Sequence, residues 1–191
     1  MLMRIISGRA RGLKLNTPKN DDIRPTTDRV KESLFNIINS RIPNSQVLDL
    51  FAGTGGLGLE CLSRGAEKCT FVDSSRESVK VLTSNIEKAR FKSESEVITA
   101  DFMNALNTFK VRGRKFDLVF LDPPYHGEMF IDALTKLDEA DLLEEHSLIS
   151  VEHDTADKFP EKIGRLYAHR EKKYGKTTIT FYMMGAVGKD E

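Results

Sequence analysis

Between residues 47 and 151 the chain alternates short apolar runs with stretches of helical periodicity, and this alternation limits the possible folds more than any other feature. The runs cover 47–50, 69–72, 97–100, 116–121 and 148–151. Helical periods separate them: one over 57–64 closed by Gly65, one carrying Val79, Leu82, Ile86 and Ala89, and one carrying Phe130, Ile131, Leu134 and Leu137. Ser74 and Glu77 have the spacing of a capping box at the start of the second. The run 116–121 is almost continuously apolar, as expected of a strand covered by helices on both faces. Successive βα units of this kind predict an α/β fold with an open, mostly parallel sheet and helices on both sides. After Pro160 the period changes. Segments 165–173 and 177–183 alternate around Tyr174-Gly175-Lys176, which predicts a C-terminal antiparallel hairpin with a three-residue turn and seven strands in all.

Ahead of this unit, residues 1–41 carry nine Lys and Arg against four acids. The surplus is local, because the whole chain of 191 residues balances 29 basic against 29 acidic side chains and so points to no charged partner by its total. Gly8 and Gly12 interrupt β-compatible residues and suggest a small hairpin. Val30, Leu34, Ile37 and Ile38 then mark an amphipathic helix that begins at Thr27 or Asp28 and leads into Pro43. The division expected is a hairpin-and-helix extension over 1–41 and a main domain over 42–191. Two cysteines, Cys61 and Cys69, are too few for a disulfide scaffold and fit core positions in a reducing compartment. With no apolar run near the roughly 20 residues of a membrane span and no signal-peptide pattern, a cytoplasmic protein is expected.

Three groups of residues carry chemistry. Glycines 53, 55 and 58 follow the first strand and precede a helix, where backbone can approach a ligand closely and helix amides can hold polar groups. Acids end three successive strands: Asp49, Asp73 and Asp101. Asp73 stands where such folds bind a ribose hydroxyl, and a carboxylate at Asp49 suits a ligand bearing an ammonium group, such as the methionine part of S-adenosylmethionine. Asp101 could hold an adenine amino group. The third group, Asp122-Pro123-Pro124-Tyr125, ends the fourth strand, which neighbours the first at the topological switch point. Two prolines make a rigid corner that leaves the Pro123 carbonyl free. That carbonyl and Asp122 offer two acceptors for the hydrogens of a planar amine, and Tyr125 offers a face for an unstacked base. The four histidines have no metal-ligand spacing, and no serine sits in a nucleophile elbow. The glycine spacing alone would also admit an NAD-dependent oxidoreductase, and the fold alone a non-catalytic RNA-binding protein.

With these residues in view, the sequence resembles the RsmD family of class I S-adenosylmethionine-dependent methyltransferases over nearly its whole length. The likeness is carried by Arg4-Ile-Ile-Ser-Gly8, by the block from Arg24 to Asn36, by the block from Val47 to Glu60, by Leu121-Asp-Pro-Pro-Tyr125 and by the block from Tyr174 to Tyr182. It implies a Rossmann-like domain that methylates the exocyclic N2 of a guanine in 16S rRNA, the RNA within the small ribosomal subunit being its partner. Neither a membrane nor an obligate protein partner is implied. S-adenosylmethionine would be the cofactor and S-adenosylhomocysteine the product. Asp49, Gly53, Gly55, Asp73 and Asp101 would border the cofactor, and Asp122, Pro123, Pro124 and Tyr125 the target base. Beside the crevice, Arg4, Arg9, Arg11, Lys14, Arg24 and Arg29 could hold RNA phosphates. Related motifs also serve adenine-N6 and protein glutamine-N5 methyltransferases.

Overall fold

The computed structural model describes residues 3–17, 28–123 and 128–185. Its centre is one eight-stranded sheet in the order β3-β2-β1-β4-β5-β8-β7-β6. Strands β1 (Gln46–Leu50), β2 (Lys68–Asp73), β3 (Ser95–Thr99), β4 (Phe116–Leu121) and β5 (Leu143–Asp154) run parallel. Strands β6 (Lys162–Ile163), β7 (Leu166–Tyr174) and β8 (Thr177–Met184) pair antiparallel beyond β5. The expected seven strands become eight because β6, two residues at the outer edge, is too short to leave a periodic signal. The turn between β7 and β8 has two residues, not three, since Tyr174 pairs with Thr177 and only Gly175 and Lys176 lie between.

Helices α1 (Asp28–Ile38), α2 (Gly56–Ser63) and α3 (Arg76–Ala89) cover one face, where Leu34, Phe35, Leu62 and Leu82 share a core with Val47, Phe71, Leu118, Phe120 and Phe181. Helices α4 (Phe102–Val111) and α5 (Glu128–Glu139) cover the other, against Leu48, Val119, Leu121, Ile149 and Tyr182. Helix α4 has no counterpart among the segments read from periodicity; the Asp101 carboxylate starts it by accepting from the Asn104 amide at 3.0 Å. The N-cap of α3 is Ser75, which accepts from the Ser78 amide at 3.2 Å, in place of the Ser74 expected from the capping-box spacing. Cys61 and Cys69 are fully buried, and burial pushes both thiols up, as suits inert core residues.

The N-terminal segment is an irregular hairpin with a single bridge, Arg4 to Lys14, and packs Ile5 and Leu15 into the α1–α3 core. A buried acid ties it down. Glu60 on α2 accepts from the amides of Ile6 (2.8 Å) and Ser7 (3.0 Å), from Arg64 Nε (2.9 Å) and, as an ion pair, from Lys31 Nζ (3.0 Å). Lys31 also donates to the Arg4 carbonyl at 3.0 Å, so both charges have partners in the protein interior. Among the described residues no helix is long and apolar enough to cross a membrane.

Candidate active site

Strands β1 and β4 are neighbours in register, Asp49 opposite Phe120, so the glycine loop after β1 and the corner after β4 leave the same end of the sheet. Both features therefore open onto the crevice outside the carboxyl ends of the strands, the place where doubly wound sheets bind ligands. Asp49 is 3% exposed and its Oδ2 accepts from the Gly58 amide at 2.9 Å. It thus performs the capping that Gly55, the N-cap of α2, has no side chain to perform. Burial raises the Asp49 carboxyl to about 7, against the lowering effect of the Gly58 amide, with the nearby Asp73 charge adding to the rise and Lys31 opposing it.

Asp73, at the end of β2, holds two amides: Gly53 N at 2.8 Å through Oδ2 and Ser75 N at 2.8 Å through Oδ1. The loop between Asp49 and Asp73 is set by close approach. A side chain at Gly58 would overlap the Phe71 ring and come within 2.6 Å of Cys69 Sγ, so only glycine lets α2 sit this near β2. Gly53 is the opposite case: with φ of +53 its missing side chain faces no atom within 4 Å, leaving space beside the backbone. Asn85, fully buried on α3, donates to the Thr54 carbonyl and to the Asn16 carbonyl, both at 3.0 Å, and so joins the loop to the N-terminal segment.

Phe51, just after β1, has φ of +109, a strained conformation for a non-glycine residue. The Val72 carbonyl accepts from the amides of both Phe51 (3.0 Å) and Ala52 (2.9 Å) and holds the bend. The Phe51 ring lies 5.5 Å from that of Phe102, the first residue of α4. Together they form an apolar wall beside Asp101, which is exposed and bonded to Asn104, its carboxyl lowered first by the Asn104 amide. Open space at Gly53, acids at three strand ends and an aromatic wall could hold the parts of S-adenosylmethionine: a cationic amino-acid end, a ribose and a planar base.

Asp122 follows β4 directly. It is exposed, and Glu152 and Asp49 lie near. Desolvation first, then the charges of Glu152 and Asp49, raise its carboxyl well above the ordinary range. Among the described residues its side chain makes no hydrogen bond. Pro123 is buried. Pro124, Tyr125 and His126 lie outside the described residues, as does Arg24. Glu152, inside β5, is an acid near Asp122 that the sequence reading missed; it directly follows the apolar run 148–151, so the search for acids just after such runs would have found it.

Of the basic residues, Arg4, Arg11, Lys14 and Arg29 are exposed. Arg9 is engaged: its Nη2 donates to the Leu62 carbonyl at 3.2 Å and pairs with Glu94 at 2.9 Å, and its guanidinium lies 4.9 Å from the centre of the Phe91 ring.

Residues 3–183 match the family model described as "Conserved hypothetical protein 95". The chain is 41% identical over 180 residues to the Bacillus subtilis protein YlbH, covering 94% of this chain and 98% of that one. It is 34% identical over 189 residues to the Escherichia coli "Ribosomal RNA small subunit methyltransferase D", covering 99% and 93%. The solved structure of the Escherichia coli protein yhhF superposes with a TM-score of 0.85 at 31% identity, over 98% of this chain and all of the other. The chain therefore belongs to this family, the RsmD group of S-adenosylmethionine-dependent methyltransferases.

Proposed function

We propose that this protein methylates the exocyclic N2 amine of a guanine in 16S rRNA of the small ribosomal subunit. The observation that carries the reading is the adjacency of β1 and β4, which sets Asp122 and Pro123 beside the loop of Gly53 and Gly55. S-adenosylmethionine, when bound, supplies an electrophilic methyl group on a sulfonium. Asp49 and Asp73 would orient it at the amino-acid end and the ribose, Gly53 and Gly55 would let it approach the backbone, and Asp101 with the Phe51–Phe102 wall would hold the adenine. Asp122 and the Pro123 carbonyl would accept the two amino hydrogens of the guanine and so turn the nitrogen lone pair toward the methyl. The amine must lose a proton as its new bond to carbon forms, and Asp122, hydrogen-bonded to that amine in this arrangement, would be the acceptor at hand. Pro124 and Tyr125 would complete the corner and stack the base.

Residues 42–191 would then form the catalytic domain. Residues 1–41 would position RNA through Arg4, Arg11, Lys14, Arg24 and Arg29, with a smaller share from Arg9 because Glu94 already neutralises it. Transfer of labelled methyl to naked 16S rRNA and to partly assembled small subunits, followed by mass spectrometry of the nucleosides, tests the reading. N2-methylguanosine is the expected product. N6-methyladenosine, or label only in protein, contradicts it.

A further inference from the structure

A groove of about 610 Å³ lies between α1 and β7, lined by Ser33, Asn36 and Ile37 on the helix and by Arg170, Lys172, Lys173 and Tyr174 on the strand. Sheet register relates it to the active site. Arg170 pairs with Phe181, which pairs with Ser150, which pairs with Phe120; Lys172 is likewise level with Ile179 and Glu152, one step past Leu121. Lys172 therefore stands at the level of Asp122, three strand spacings away, about 14 Å. Ile179 and Phe181 belong to the core beneath α1, so their partners Lys172 and Arg170 point to the α1 side. Glu171 alternates away from Arg170 and Lys172 and lies 3.7 Å from Lys173, which also borders the groove.

The groove is thus cationic along its strand wall. Arg170 and Lys172 are exposed, and neither makes an ion pair or side-chain hydrogen bond among the described residues. Their side chains emerge two residues apart, about 7 Å along the strand, a spacing at which like charges repel unless a polyanion lies across them. One turn before Ser33 on α1 stands exposed Arg29, outside the groove lining, with Asp28 and Glu32 as the acids nearest to it in sequence. Tyr174 is hydrogen-bonded to Ser33, which fixes the distance between the two walls at the end nearest the active site. β6 covers β7 only at Leu166 and Tyr167, so the outer backbone edge of β7 beside Arg170 and Lys172 carries no strand. Lysines on a bare edge also discourage pairing with other sheets, but that role requires neither the helix wall nor alignment with Asp122.

We propose that this groove holds the sugar-phosphate backbone of the substrate RNA on the strand flanking the base presented to Asp122. The inference rests on the rRNA methyltransferase reading for the identity of the RNA. The test compares the full-length protein with R170A/K172A and with K110A, an exposed lysine on the opposite face, by binding of 16S rRNA fragments across a salt series and by methyl transfer. The double variant should reduce the slope of log affinity against log salt by about 1.4, as loss of two phosphate contacts requires. Its KM for RNA should rise about tenfold or more, with kcat and S-adenosylmethionine affinity within twofold of the parent. K110A should match the parent. Unchanged slope and KM in the double variant overturn the proposal, as does a variant that binds naked RNA normally but loses binding to a protein of the small subunit. If the parent binds RNA but transfers no methyl while the double variant still loses slope, the groove stands and the catalytic reading falls.

Discussion

Asp122, after β4, is held differently from the acids at the ends of β1, β2 and β3. In the half built from β1, β2 and β3, each acid is tied to backbone: Asp49 to Gly58, Asp73 to Gly53 and Ser75, Asp101 to Asn104. At the end of β5, Asp154 is likewise tied, to the Ala156 amide at 2.9 Å, whereas Asp122 has no such tie among the described residues and lies close to Glu152 with a raised carboxyl. A tied carboxylate is fixed in place before any ligand arrives and shapes the loop that would receive the cofactor. An untied one keeps its lone pairs for a substrate amine. On the proposed reading, similar residues at similar positions would separate into a cradle and a reacting corner, by their hydrogen-bond partners and not by residue type.

The sharpest way to break this contrast is Asp122→Ala. It should lower turnover by about 1,000-fold, a loss of roughly 4 kcal/mol of transition-state stabilisation. Cofactor affinity by calorimetry should stay within twofold, and a parallel loss of affinity would place Asp122 with the tied acids.

Asp49→Asn probes the other half through pH. The Asp49 carboxyl rises from its ordinary 3.8 to about 7 in the folded chain, so the folded state binds the proton more readily than the unfolded one. That contribution is full below about pH 4 and is lost as pH rises through 7. Asparagine keeps an acceptor for the Gly58 amide and does not titrate. The variant should therefore match the parent near pH 4 and gain on it toward pH 8, by up to about 4 kcal/mol at roughly 1.4 kcal/mol for each tenfold change in proton affinity. Denaturant midpoints across this range decide it, and parallel curves would refute the burial argument.

Asp73→Ala should weaken S-adenosylmethionine binding about tenfold, because it removes both the proposed ribose acceptor and the partner of Gly53 N, at a stability cost of about 1 kcal/mol. Calorimetry giving the parent's affinity would remove Asp73 from the cofactor site. The smallest effect belongs to Asp101→Asn. It retains a cap for α4 and should leave the thermal midpoint nearly where it is, with a few-fold loss of cofactor affinity.

Much of this was readable from residues. The apolar run of β4 matches its observed limits, Phe116–Leu121, because a strand buried on both faces has no polar face to blur its ends. The glycine loop announces itself by spacing. Other features left weaker signals. β6 holds two residues, and the capping role of Asp101 hid α4, since the same aspartate also reads as a strand-end acid. The strain at Phe51 follows from two amides converging on the Val72 carbonyl of another strand, a tertiary fact with no local trace. The basic N-terminal segment shows the limit of counting charges: its surplus is plain in the sequence, but only contacts reveal that Arg9 is neutralised by Glu94, whereas Arg170 and Lys172 on β7 have no such partner among the described residues.

The central claim is that donor and acceptor sites share one crevice. A crystal structure with S-adenosylhomocysteine bound tests it most directly. The adenosine should lie between Asp73 and the Phe51–Phe102 wall, with the sulfur facing the Asp122 carboxylate and the Pro123 carbonyl. A cofactor bound with its sulfur turned away from Asp122, or outside the loop of Gly53 and Gly55, would contradict it.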